Sequence, residues 1–285
     1  FRLEDYRQDS GRPEVSAGHL DAFDAPTAYG LARDLSPRRL SLDSLEHPEE
    51  DRTSTQTFLQ MLGLSADLTL EEVQHRWRPR GQDSFLRVPI GEDDRGDPVS
   101  LDLKEAAQLG MGPHGLCVGA TGSGKSELLR ALVFALLASH APERMSMLLV
   151  DFKGGATFAP FEGAPHVAGI ITNLSDDLSL IERVYASLSG EILRRQEVLK
   201  EAGNLANITD YQAYREHAIA QGRSVEPLPH LIVIIDEFGE LLTARPDFID
   251  LFLSIGRIGR SIGIHLLLSS QRIESGKLRG LDTYL

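Results

Sequence analysis

One eight-residue stretch restricts the fold of this 285-residue chain more than any other feature. Residues 119–126 read G-A-T-G-S-G-K-S, which matches the spacing G-x-x-x-x-G-K-[ST] in full. An apolar run precedes the stretch and an amphipathic segment follows it, as a strand and a helix would. Glycines let successive backbone N–H groups turn inward around phosphate oxygens, and the helix directs its positive N-terminal end at the same point. The stretch therefore predicts a phosphate-binding loop.

The residue types in this loop predict separate roles. Lys125 would neutralise charge on the outer phosphates, and the Ser126 hydroxyl would ligate magnesium. The predicted nucleotide-binding residues are Gly119, Ala120, Thr121, Gly122, Ser123, Gly124, Lys125, Ser126 and the adjoining Glu127. The expected cofactors are therefore ATP and Mg²⁺.

A second apolar run, at 231–235, ends in two carboxylates, Asp236 and Glu237. An unbroken apolar run of this length predicts a central strand covered on both faces, which we place beside the phosphate-binding strand. Asp236 would hold the magnesium shell, and Glu237 would orient or deprotonate the attacking water, a contribution of about 10² to 10⁴ in rate. An acidic pair after a strand can also cap a helix. The complete phosphate-binding loop favours the catalytic interpretation.

A third apolar strand, within 265–272, ends in polar residues that include Gln271. Parallel sheets bind ligands at the carboxyl ends of their strands. Gln271 could therefore reach the γ-phosphate or the attacking water, although a loop amide can also simply bind backbone groups.

Two arginines, Arg257 and Arg260, lie at positions i and i+3 near the end of the helix before this strand. Such residues often bind the last carbonyls of a helix. The alternative is an arginine finger that reaches the nucleotide of a neighbouring subunit, which contributes about 10³ to 10⁵ in rate where it occurs. Of the two, we expect Arg260 to be the finger and a catalytic residue with Lys125, Glu237 and Gln271.

The turn D-F-K-G-G at 151–155 follows another apolar run and contains Lys153. Glycines are typical of a plain turn. A lysine at the phosphate edge of the sheet would also suit a sensor of bound phosphate. The spacing does not separate these two interpretations.

From residue 114 onward, short apolar runs alternate with longer amphipathic segments, the pattern of parallel strands joined by crossover helices. Predicted strands cover 115–118, 147–150, 167–171, 231–235 and 264–268. Predicted helices cover 126–140, 175–202, 209–218 and 246–260. The predicted fold class is α/β, with a mostly parallel central sheet flanked by helices.

The chain before this core divides into two parts. Residues 51–113 are expected to form a small helical and β platform, because Thr69 to Glu72 fit a capping box and 91–103 fit an acidic hairpin. Residues 1–50 mix Pro, Gly and charged residues, with a single predicted helix near 28–37. We interpret them as a linker or the end of a preceding domain, so the core and platform together cover 51–285.

The charge balance limits the possible partners. The chain has 42 Asp and Glu against 29 Lys and Arg, a formal net charge of −13. This charge opposes the positive field that non-specific DNA binding requires, so a nucleic-acid partner is not expected. The single cysteine, Cys117, excludes an internal disulfide. The longest apolar stretch, 128–138, is far shorter than the roughly 20 residues of a membrane helix, so we expect a soluble segment.

Four segments together resemble the FtsK/SpoIIIE branch of the additional-strand P-loop ATPases. They are GATGSGKSELLR, DFKGGATF, LIVIIDEFGELL and IGRIGRSIGIHLLLSSQR. Within that branch, segments such as KEAAQLGMGPHG, PHVAGIITNLSDD and GEILRRQEVLKEAGN resemble the first ATPase domain of the EccC-type ATPases of type VII (ESX) secretion. The likeness covers residues from about 54 to 285.

The resemblance implies a motor domain on the cytoplasmic side of a membrane. It implies further ATPase domains in the same protein, neighbouring subunits in a hexameric ring, membrane components of the secretion complex, and exported helical-hairpin substrates. If the finger comes from a neighbour, an isolated monomer would hydrolyse ATP slowly. Two alternatives stay open: a DNA translocase of the same superfamily, and a regulatory module that holds ATP with little turnover.

Overall fold

The computed structural model describes residues 2–5, 14–17, 58–78, 81, 84–93, 95–104, 110–152, 156–172, 178–272, 278 and 280–285. The chain divides into two compact units, Phe1–Thr55 and Gln56–Leu285. In the first unit, strands β1 (Arg2–Asp5) and β2 (Glu14–Ala17) pair in antiparallel fashion. The helix predicted near 28–37 lies outside the described residues.

The second unit begins with two short helices and a hairpin, elements of the types predicted for the platform. They are α1 (Phe58–Met61), α2 (Leu70–Arg76), β3 (Arg87–Glu92) and β4 (Pro98–Asp102). Thr69 caps α2, because its hydroxyl accepts a hydrogen bond from the Glu72 amide at 3.2 Å. This N-cap is the one that the capping-box pattern predicts.

Five parallel strands form the central sheet of the second unit. They are β5 (Gly115–Val118), β6 (Met145–Asp151), β7 (Val167–Ile171), β8 (His230–Asp236) and β9 (Ile264–Ser270). Each contains the strand predicted for it, and β6, β8 and β9 are longer by one or two residues at one or both ends. The α/β class with a parallel sheet is confirmed.

Helices connect and cover these strands. They are α3 (Lys125–Ser139), α4 (Leu178–Glu201), α5 (Ile208–Ala220), α6 (Phe238–Ala244) and α7 (Phe248–Ile262). The short helix α6 is not predicted from the sequence, whereas the other four match predicted segments. No helix in the described ranges combines the length and the hydropathy that crossing a bilayer requires.

The strand order β5-β9-β8-β6-β7 corrects one expectation. The strand that ends in Asp236 is not the neighbour of the phosphate-binding strand, because β9 pairs with β5 on one side and with β8 on the other. Every residue of β9 is buried, as a strand in the middle of a sheet requires. The expectation of direct adjacency is therefore wrong.

Apolar side chains of β8 pack on both faces of the sheet. Val233 and Ile235 lie in the core cluster formed with helices α4 and α7. Ile232 and Ile234 lie in the cluster formed with α3 and the platform. Alternating side chains of a strand point to opposite faces, so an unbroken apolar run fits a sheet with two covered faces. This packing fixes the position of the strand whose end carries the two carboxylates.

Three histidines form a buried network at the amino end of the sheet. His265 Nδ1 lies 2.9 Å from the Pro113 carbonyl oxygen, and His265 Nε2 lies 2.9 Å from His230 Nδ1. Because a carbonyl can only accept, His265 donates from Nδ1 and accepts from His230. His114 Nδ1 accepts from the Leu266 amide at 3.0 Å. Burial lowers the pKa of His114 and of His265 to about 4 and that of His230 well below its usual value.

This network predicts a loss of stability in mild acid. Because the pKa of each histidine is lower in the folded chain, the unfolded chain binds more protons between pH 6.5 and about 4. The contribution of these histidines to the free energy of unfolding is therefore fully present above pH 6.5 and is lost as the pH drops below that value. His114 alone should contribute a loss of about 2 kcal/mol in the free energy of unfolding between pH 7.5 and pH 5.

Urea unfolding at the two pH values measures this loss. In His114→Asn the loss should shrink by about 2 kcal/mol, because asparagine can accept from the Leu266 amide without titrating. In His217→Gln, which changes an exposed histidine, the loss should equal that of the wild type. An equal loss in wild type and His114→Asn would contradict the assignment.

Candidate functional site

The ends of three strands meet at the carboxyl edge of the sheet. Val118 of β5 pairs with Ser270 of β9, and Ser269 of β9 pairs with Asp236 of β8. The strands are parallel, so the loops that follow them leave the sheet on the same side. Motifs more than a hundred residues apart in the chain therefore lie next to each other.

The phosphate-binding loop has the backbone that its glycines predict. Gly122 and Gly124 have φ values of +81° and +89°, in the left-handed region that other residues rarely adopt. Residues 120–124 are exposed, and Gly124 precedes helix α3, which begins at Lys125. The loop therefore presents its backbone and the first turn of a fifteen-residue helix to solvent.

Lys125 reaches across the sheet edge to both predicted acidic residues. Its Nζ lies 2.6 Å from Asp236 Oδ1 and 2.7 Å from Glu237 Oε1. All three side chains are nearly buried, with exposures of 8%, 7% and 12%. Burial alone lowers the pKa of Lys125, but the hydrogen bonds and charges of the two carboxylates outweigh it, so the pKa is raised. Lys125 is therefore a cation held between the two carboxyl groups.

Glu237 has a strained backbone and a side chain directed at the lysine. Its φ and ψ of 60° and 42° lie in the left-handed region, which costs a residue with a Cβ about 1 to 2 kcal/mol. Among the described residues, its carboxylate makes no capping hydrogen bond to α6. Strained residues persist where the surroundings hold them. The contact with Lys125 therefore favours the catalytic interpretation of Glu237 over a helix cap.

Gln271 lies beside the phosphate-binding loop. The Thr121 hydroxyl donates a hydrogen bond to Gln271 Oε1 at 3.1 Å. A cleft of about 360 Å³ adjoins this pair, and its lining includes Glu237, Thr243, Gln271 and Arg272. The structure thus brings Lys125, Asp236, Glu237 and Gln271 to one place, although the roles assigned to them stay predictions.

Other predicted residues lie elsewhere. Arg257 and Arg260 are exposed near the end of α7, which leads into the amino end of β9. That end is roughly 20 Å from the carboxyl edge, because a strand rises about 3.3 Å per residue. The structure therefore does not bring Arg260 to the site of its own chain. The Glu127 carboxylate pairs with Arg130 at 2.6 Å, and Lys153 lies outside the described residues.

The residues present fit a nucleotide with magnesium. Exposed loop amides, the Lys125 cation and the start of α3 suit phosphate oxygens. In the described part of the chain, no group of three or more His, Cys, Asp and Glu residues is placed to hold a metal ion. Magnesium usually takes one or two protein ligands and completes its shell with phosphate oxygens and water. Ser126 and Asp236 are the side chains that would hold it.

Comparison with known proteins decides the family. Residues 69–275 match the model of the FtsK/SpoIIIE family. The chain belongs to this family. It is 52% identical over 282 residues to the ESX secretion system protein EccC of Thermomonospora curvata, across 98% of this chain and 21% of that protein. This FtsK/SpoIIIE chain therefore spans about a fifth of its relative, and the resemblance read from the four segments is confirmed.

Solved structures give the same result for the fold. The cytoplasmic domain of the type VII secretion ATPase EccC from Thermomonospora curvata matches with a TM-score of 0.75 and 54% identity, over 82% of this chain and 26% of that chain. ATPases 2 and 3 of EccC from the same organism, in complex with a signal sequence peptide, match with a TM-score of 0.58 and 25% identity, over 72% and 36% of the two chains. The FtsK/SpoIIIE chain thus has the P-loop NTPase fold of an EccC ATPase domain.

The loop geometry predicts that Gly124→Ala weakens nucleotide binding about tenfold or more. Its φ of +89° would cost an alanine about 1 to 2 kcal/mol, so the loop would shift. Titration of a fluorescent ATP analogue measures the effect. Gly190→Ala is the control, because a Cβ at that position in α4 meets nothing within 4 Å. It should leave the affinity unchanged, and equal affinities of Gly124→Ala and wild type would contradict the prediction.

Proposed function

We propose that this chain is an ATP-hydrolysing motor domain of a type VII secretion machine. The observation that carries the proposal is the contact of Lys125 with Asp236 and Glu237 beside an exposed phosphate-binding loop. Lys125, the proposed phosphate-binding cation, directly contacts Asp236, the proposed magnesium-binding carboxylate, and Glu237, the proposed general base. That set is what hydrolysis of a nucleoside triphosphate requires.

Each side chain has a defined task in the proposed reaction. Magnesium bound with ATP would neutralise charge on the phosphates. Lys125 would leave the two carboxylates to bind the outer phosphate oxygens, and Asp236 and Ser126 are the residues that would hold the metal. Glu237, freed from Lys125, orients the attacking water and accepts its proton. Gln271, placed by Thr121, hydrogen-bonds the same water or the γ-phosphate.

The secretion role comes from the relatives. EccC of Thermomonospora curvata is an ESX secretion protein, and its ATPases 2 and 3 bind a signal sequence peptide. By analogy, this domain would drive export of helical-hairpin proteins, together with further ATPase domains and membrane components, from the cytoplasmic side of the membrane. The net charge of −13 favours this role over that of a DNA translocase.

The position of the arginines supports a shared site. Arg260 lies at the opposite end of the strands from Lys125, so it can serve a nucleotide only on another subunit. A head-to-tail contact between identical chains generates a ring when the rotation closes. In the proposed ring of six subunits, Arg260 of each subunit completes the site of its neighbour. An isolated monomer would then be a weak ATPase.

Glu237→Gln should retain ATP binding and lower kcat about 100-fold or more, because glutamine keeps the shape but cannot accept the proton. Lys125→Ala should lose ATP binding. A fluorescent ATP analogue measures binding, and phosphate release measures turnover. Glu197→Gln, which changes an exposed glutamate paired with Lys200, is the control and should behave as wild type. Equal phosphate release by wild type and Glu237→Gln would remove Glu237 from its role and favour a regulatory module.

Arg260→Ala should abolish any rise of the ATPase rate with protein concentration. In the wild type, the rate per subunit should increase as subunits associate and supply the finger, by up to about 10³-fold. The measurement is phosphate release over a wide range of protein concentration. Arg95→Ala, in the β3–β4 turn, is the control for loss of an exposed arginine. A rate per subunit that does not change with concentration in the wild type would exclude a site shared through this residue. A rise with concentration that persists in Arg260→Ala would exclude it as well.

A further inference from the structure

A buried serine on β9 touches the proposed magnesium-binding carboxylate. Ser269 is fully buried, and its hydroxyl donates a hydrogen bond to Asp236 Oδ1 at 2.9 Å. The two residues are paired across the β8–β9 ladder. Burying a hydroxyl in an apolar strand is unfavourable unless the hydroxyl is hydrogen-bonded. The carboxylate is the partner that makes this position acceptable for a serine.

The three hydrogen bonds described for the Asp236 carboxylate all end on the same oxygen, Oδ1. Oδ1 accepts from Lys125 Nζ at 2.6 Å, from the Ser269 hydroxyl at 2.9 Å and from the Glu237 amide at 3.1 Å. The Ser269 and Glu237 donors belong to a central strand and to the backbone, so they stay in place when Lys125 moves to phosphate. Together they fix the plane of the carboxylate and keep Oδ1 occupied, which leaves Oδ2 for the metal shell.

We propose that Ser269 is a positioning residue for metal binding, which orients Asp236 so that Oδ2 faces Mg²⁺ or one of its water ligands. This inference rests on the proposed ATP and magnesium site. Removing a group that orients a metal ligand typically weakens metal binding or activity about 10- to 100-fold. Ser269 therefore affects the contribution of the metal to nucleotide binding more than it affects binding of the nucleotide itself.

The adjacent residue offers a matched control. Ser270 is also buried, with 3% exposure, but its hydroxyl donates to the Arg272 carbonyl at 2.8 Å. Successive side chains of a strand point to opposite faces, so Ser270 is directed away from Asp236. Ser269→Ala and Ser270→Ala thus remove the same group from neighbouring buried positions, and only the first removal affects the carboxylate.

The test is titration of a fluorescent, non-hydrolysable ATP analogue in EDTA and in saturating Mg²⁺. The ratio of the two dissociation constants measures the coupling between metal and nucleotide. In Ser269→Ala this ratio should fall about tenfold relative to wild type, with the affinity in EDTA unchanged. In Ser270→Ala the ratio should equal that of wild type. A purely structural role of Ser269 would instead change the affinity in both conditions alike.

Several outcomes would overturn the inference: an unchanged ratio in Ser269→Ala, an equal fall in Ser270→Ala, or a loss of affinity that is the same with and without Mg²⁺. If Ser269→Ala fails to fold, Ser269→Thr and Ser269→Val replace it, because they have the same shape and differ in the hydroxyl. The threonine variant should then show the larger ratio, and equal ratios would refute the role. Failure of the wild type to bind the analogue at all would instead refute the proposed function.

Discussion

A buried cation between two buried carboxylates is the interaction on which the carboxyl edge of the sheet depends. Removing charges from water is costly, and a buried pair is tolerated only when its geometry is good and its remaining hydrogen-bonding capacity is used. Lys125 comes from the start of α3, whereas Asp236 and Glu237 come from the end of β8. Their contact at 2.6 Å and 2.7 Å requires that β5, β9 and β8 end at the same level. The apolar core on both faces of the sheet supplies that alignment.

Polar side chains are buried at both ends of the sheet, by charge pairing at one end and in the neutral form at the other. At the carboxyl end, Lys125 lies between Asp236 and Glu237 of opposite charge, and under the proposed function a bound nucleotide would exchange partners with them. At the amino end, burial keeps His230, His265 and His114 neutral and each makes at least one hydrogen bond, although His114 Nε2 is buried without a hydrogen-bond partner among the described residues. Under the proposed function, the charged groups at the carboxyl end change partners. The histidines at the amino end hold strands and loops in one register. The candidate functional residues therefore lie at one end of the strands, and the histidines that affect stability lie at the other.

The positions of the predicted site residues show which of them a single chain brings together and which it does not. Lys125, Asp236, Glu237 and Gln271 lie together, so under the proposed function a single domain would bind the nucleotide and activate the water. Arg260 lies at the other end of the strands, and no small movement of a side chain would bring it to the same site. The chain corresponds to about a fifth of its relative EccC, and under the proposed function this placement would make assembly a means of control.

Local patterns in the sequence predicted most of the elements and the candidate site residues, because a glycine-rich loop, apolar runs and acidic strand ends follow local rules of backbone and burial. It predicted the five strands, four of the five core helices, and the phosphate-binding and acidic residues. Three features are visible only in the folded chain: β9 separates β5 from β8, Ser269 contacts Asp236, and Arg260 lies far from the site of its own chain. Strand order and register depend on packing among distant segments, which no short stretch of sequence encodes.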